Sequence, residues 1–78
     1  MFTGKDLDKL VLNHIVNEWL ETGLAVPISA LTDTFADNLK INRAAIHRST
    51  SRLAKQGYIA RLRDWRSSNY IPLKKALL

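Results

Sequence analysis

The chain has 78 residues, 46% hydrophobic and 24% charged, with no cysteine and a formal net charge of +5 at pH 7. Such a length allows one small domain, burying only about 60% of the surface it exposes when unfolded. The apolar fraction argues against a disordered basic tail, and the missing thiols exclude disulfides and cysteine metal sites and fit a reducing compartment. Apolar runs such as Leu10-Val11-Leu12 and Leu24-Ala25-Val26 are too short to span a membrane or to form a secretory signal. The expectation is a soluble, cytoplasmic protein. Its charge is unevenly placed. Met1 to Asn38 holds two bases against six acids, near −4, whereas Leu39 to Leu78 holds ten bases against one acid, near +9. Positive charge gathered in one half of a small domain suits a polyanionic partner, nucleic acid first.

From Lys5 to Glu21 the apolar residues recur at helical spacing. Val11, Leu12, Ile15, Val16, Trp19 and Leu20 cover about half the circumference, wider than a usual surface stripe. Thr3 or Gly4 caps the start, Asp6 and Asp8 suit the positive end of the helix dipole, and Gly23 supplies the stop. Leu24 to Ile28, with Pro27, reads as a brief edge strand. Ser29 is the expected cap of a second helix reaching Leu39, with Leu31, Phe35, Ala36 and Leu39 inward. Lys40-Ile41 makes a turn, and Asn42 caps a third helix running to Gln56 and closed by Gly57. Within it Ile46, Thr50 and Leu53 face the core. The period then changes to two over Tyr58–Arg63, a half-buried strand. Asp64–Asn69 is a polar tip, and Tyr70-Ile71-Pro72-Leu73 is the return strand, with Pro72 marking an edge. Lys74–Leu78 is too short to assign.

The order is therefore helix, short strand, helix, tight turn, helix, hairpin. With it, the stretch Phe35-Ala36-Asp37-Asn38-Leu39-Lys40-Ile41-Asn42-Arg43-Ala44-Ala45-Ile46 resembles the signature of the winged helix-turn-helix family, in particular small prokaryotic, phage or viral transcription regulators. Ala36 matches the small residue where the two helices cross, Leu39 and Ile41 the apolar pair around the turn, Asn42 the cap, and Ile46 the apolar residue of the recognition helix. Arg52-Leu53-Ala54-Lys55-Gln56-Gly57-Tyr58-Ile59 resembles the passage into the wing. The likeness runs from Pro27 to Leu73 without insertion. It departs from the family at Lys40, where Gly is common, and at Thr50, where Leu is common. A left-handed Lys costs roughly 1 kcal/mol relative to Gly, which points to a longer or reshaped turn. A threonine hydroxyl at position 50 can bond back to a carbonyl one turn earlier.

The resemblance implies a mainly α domain with a small β-hairpin, in the order α-β-α-α-β-β, over residues 1–78. The helix-turn-helix occupies about 29–56 and the wing about 58–73. It implies a double-stranded DNA-binding transcriptional regulator, nucleoid-associated in a prokaryotic or infected cell, with no enzymatic activity. A recognition helix enters the major groove and is positioned by phosphate contacts. Arg43, Ala44, His47 and Arg48 are the base-edge candidates. Ser29, Thr32, Ser51, Arg52 and Lys55 are the phosphate candidates, and Arg61, Arg63, Trp65 and Arg66 belong to the wing, with Arg66 suited to a narrow minor groove. On the order of seven phosphate contacts make affinity steeply salt-dependent.

Several residues keep a second reading. His47 is either a base reader or an exposed polar residue, His14 a surface residue, and Trp65 either an anchor for the hairpin or a DNA contact. Leu12, Val16, Trp19 and Leu20 either close the core or form a two-fold homodimer interface placing two recognition helices on successive half-sites. Two separated histidines without cysteine make no metal site, and no Ser/His/acid grouping marks a nucleophile. No cofactor and no small-molecule substrate are implied. Two alternatives to a regulator stand: a winged helix that serves as a protein-interaction adaptor or antirepressor, and a DNA-architectural or replication-accessory factor of the excisionase kind.

Overall fold

A computed structural model describes residues 3–64 and 67–78. Helix α1 (Gly4–Thr22) starts in a reciprocal capping box: the Asp6 amide donates to Thr3 Oγ1 at 3.2 Å and the Thr3 amide to Asp6 Oδ2 at 3.3 Å. It ends at Gly23, whose φ of 70° is open to a residue without Cβ and whose N–H donates to the Trp19 carbonyl at 2.8 Å. Strand β1 (Val26–Pro27) leads directly into helix α2 (Ile28–Thr32), which widens into a π-helical stretch (Asp33–Asn38). Helix α3 (Arg43–Lys55), strands β2 (Ile59–Arg63) and β3 (Ser68–Pro72) and one helical turn, α4 (Lys74–Leu77), complete the chain. The expected element order therefore holds, with α4 added.

The sheet is antiparallel in the order β1-β3-β2, with Val26 opposite Tyr70 and Ile59 opposite Pro72. Pro27 lies on an edge strand, as expected, but Pro72 does not mark one, because β3 is the central strand. The proline is tolerated at the last position of β3, beyond the two residues that β1 covers. The return strand also begins earlier than Tyr70, at Ser68.

A single core gathers Leu7, Val11 and Ile15 of α1 with Val26, Leu31, Phe35, Ile46, Leu53, Ile59 and Tyr70. Two expectations about the second helix need correction. Pro27, extended at φ −72° and ψ 150°, stands at the cap position, and Ser29 falls inside the first turn. Leu39 is 46% exposed instead of buried. In a π-helical stretch each residue advances by less than the α-helical 100°, so Leu39 lags behind the line of Leu31 and Phe35. The turn is also not reshaped to avoid strain: Lys40 adopts the left-handed conformation at φ 58°.

Candidate nucleic-acid interface

Helix α3 is set up locally. Asn42 Oδ1 accepts from the Ala44 amide at 2.7 Å, fixing the first turn. Ile46, Ser49, Thr50 and Leu53 are buried, and Thr50 Oγ1 donates to the His47 carbonyl at 2.9 Å, which satisfies its hydroxyl inside the core. Ala44, His47, Arg48, Ser51 and Lys55 then face solvent together. This is the outward set that helical periodicity specifies, and α3 contains no acid.

The two border arginines behave differently. Arg43 lies at the exposed start of α3 and donates to Asp37 Oδ1 at 3.2 Å, with Asp33 at 4.0 Å. Arg52 is forked onto Asp8 of α1: Nε reaches Oδ2 at 3.0 Å and Nη2 reaches Oδ1 at 2.7 Å. The Ser49 hydroxyl donates to the same Oδ1. Burial pushes the Asp8 carboxyl up, but the Arg52 and Ser49 hydrogen bonds and the Arg52 charge outweigh that and hold it below the ordinary aspartate value. Hydrogen bonding to Asp8 correspondingly raises the Arg52 guanidinium.

The remaining candidates scatter. Ser29 is exposed, whereas Thr32 is buried and its hydroxyl donates to the Ser29 carbonyl at 3.0 Å. On the hairpin Arg61 and Arg63 are exposed, and the Arg61 guanidinium lies 5.9 Å from the centre of the Tyr70 ring. The tip is closed by the Ser67 amide on Asp64 Oδ1 at 2.8 Å and the Asp64 amide on the Ser67 carbonyl at 3.1 Å. Trp65 and Arg66 lie outside the described residues. On α1, Leu12 packs half-buried against the core, Val16 and Trp19 are half-buried, and Leu20 is 70% exposed. His14 is half-buried rather than a plain surface residue, edge-on to Phe35 at 5.7 Å.

Asp8, Asp33 and Asp37 are the site-shaping residues that reading the sequence misses. Asp37 stands six residues before Arg43, a spacing that offers a local signal. Asp8 offers none, because its partners are 41 and 44 residues away.

Among solved structures the chain is similar to one of HOP2 that concerns its DNA recognition and protein interaction domains and its homologous DNA pairing. The TM-score is 0.70 at 13% sequence identity, covering 86% of this chain and 98% of that one. The fold is a winged helix. At that identity the likeness is one of architecture: the winged helix here pairs β2 and β3 into the wing and sets α3 as its third helix. No protein-family model and no curated protein matches the chain. Among the described residues of this winged helix, no helix is long and apolar enough to cross a membrane, and no group of three or more His, Cys, Asp or Glu is placed to hold a metal.

Proposed function

We propose that this winged helix binds double-stranded DNA as a transcriptional regulator, with α3 in the major groove and the β2–β3 wing on the adjacent minor groove or backbone. The observation that carries the reading is the outward face of α3. Ala44, His47, Arg48, Ser51 and Lys55 are all exposed on one acid-free helix, in a fold shared with a structure concerned with DNA recognition. Arg48 suits a guanine edge, Ala44 a thymine methyl, and Ser51 and Lys55 the phosphates. Arg61 and Arg63 extend the basic surface onto the wing. With Arg52 held by Asp8 and Arg43 by Asp37, the cations of this surface without a carboxylate partner among the described residues are Arg48, Lys55, Arg61 and Arg63. Lys55, Arg61 and Arg63, making about three phosphate contacts, give a salt slope near −2.7, shallower than seven would. Pairing two copies through the Leu20 end of α1 supplies the second half-site that one small module lacks.

A second reading, a DNA-architectural or pairing factor, draws on the same likeness, since the HOP2 structure concerns homologous DNA pairing. Fluorescence anisotropy on duplex DNA across a salt series separates the outcomes. Salt-steep binding that weakens in Arg48→Ala supports groove reading, and a preference among sequences supports a regulator. Tight binding without any sequence preference favours the architectural role. No binding at low salt sinks both.

A further inference from the structure

Asp8 belongs to α1, outside the surface proposed for DNA, yet it grips α3 on two successive turns. Ser49, fully buried, and Arg52, three residues on, both donate to its carboxylate. Three hydrogen bonds to one rigid acceptor fix the rotation of α3 about its axis and its height along α1. The two ion pairs of this surface differ in kind. The Asp37 and Arg43 side chains are 62% and 56% exposed, so water and salt loosen that pair. The Asp8 side chain is 16% exposed. The Arg52 side chain is 40% exposed, but a phosphate that drew it away would leave the sheltered Asp8 carboxylate with the Ser49 hydroxyl in place of its charged partner, which is unfavourable.

We propose that Asp8 is a positioning residue for the DNA-facing helix, and that it withholds Arg52 from the phosphate-contacting set. Net positive charge is cancelled at that border of α3, and DNA recognition is left to the side chains at the exposed centre of the helix. This inference rests on the DNA-binding reading above.

The test is the slope of log affinity against log salt for a duplex of random sequence, over about 50–200 mM. Asp8→Asn frees Arg52, so its slope steepens by about 0.9, one added phosphate contact. Asp8→Asn combined with Arg52→Gln removes a neutral pair and returns the slope to the wild-type value, whereas Lys55→Ala lowers it by about 0.9. A fall of that size in the double variant, or no steepening in Asp8→Asn, overturns the proposal. Backbone amide shifts of Asp8→Asn without DNA form a separate arm. Changes concentrated on the outward residues of α3 support the positioning role, and unchanged shifts there overturn it. Wild-type protein that fails to bind DNA at low salt refutes the DNA reading and the withholding of Arg52, while the amide shifts still decide whether Asp8 positions α3.

Discussion

The hydroxyl of Ser49, with no solvent exposure, donates to Asp8 Oδ1 from 41 positions away and so fastens the third helix to the first. Removing the acceptor leaves a buried hydroxyl and a guanidinium without their shared partner. Asp8→Ala is therefore expected to cost about 2–3 kcal/mol and Ser49→Ala about 1 kcal/mol. Urea denaturation followed by circular dichroism measures both, and equal losses would contradict the assignment of two partners to Asp8.

The same carboxylate makes stability depend on acid pH. Its folded-state pKa is depressed, so its contribution is complete above the unfolded aspartate value of about 3.9 and is lost as pH falls through the lower folded value. Asp8→Asn is expected to flatten the acid limb of the stability–pH curve without changing its shape near neutrality. An acid limb that stays equally steep in the variant would assign it to other carboxylates.

Arg43 is restrained differently, by exposed acids on the preceding helical segment. Asp37→Asn removes the nearer one and leaves Asp33, at 4.0 Å, as a weaker competitor with DNA for the cation at the start of α3. Stability should move by no more than about 0.5 kcal/mol, while affinity for duplex DNA rises and its salt slope steepens by about 0.9. Anisotropy titrations at two salt concentrations check this.

Lys40 carries the one left-handed non-glycine backbone among the described residues, at φ 58°. Relief of that conformation by Lys40→Gly is worth about 1 kcal/mol, offset in part by the larger freedom of glycine in the unfolded chain. A net gain of about 0.5 kcal/mol, or roughly 2–4 °C in thermal midpoint, is expected. A lower midpoint would show that the lysine side chain makes a stabilising contribution larger than its strain.

Leu20 and Leu24 are 70% and 67% exposed near the end of α1. Replacing Leu20 by Ser should leave monomer stability within about 0.5 kcal/mol. If two copies pair through this end, sedimentation velocity will show a dimer for the wild type and a monomer for the variant. A monomeric wild type at all concentrations removes the dimer.

Features that depend on neighbours a few residues apart were legible in the chain itself. The capping signals at Thr3 and Asn42, the glycine stop at Gly23, the inward and outward faces of α3 and the hairpin all follow from spacing along one helix or strand, where side chains meet by local geometry. The concentration of positive charge after Leu39 is likewise a property of the sequence.

Tertiary structure decided how firmly each of those charges is held. Arg52 and Arg43 look alike as cations bordering a helix, but folding brings a sheltered carboxylate to one and exposed carboxylates to the other. It also decided that Leu39 leaves the core and that Lys75 reaches the Gln56 carbonyl at 3.0 Å and the Tyr58 ring at 4.4 Å. Composition and periodicity describe a residue by its own chemistry and its near neighbours. The pairing of Asp8 with Arg52 joins positions 44 apart and exists only once α1 and α3 are packed.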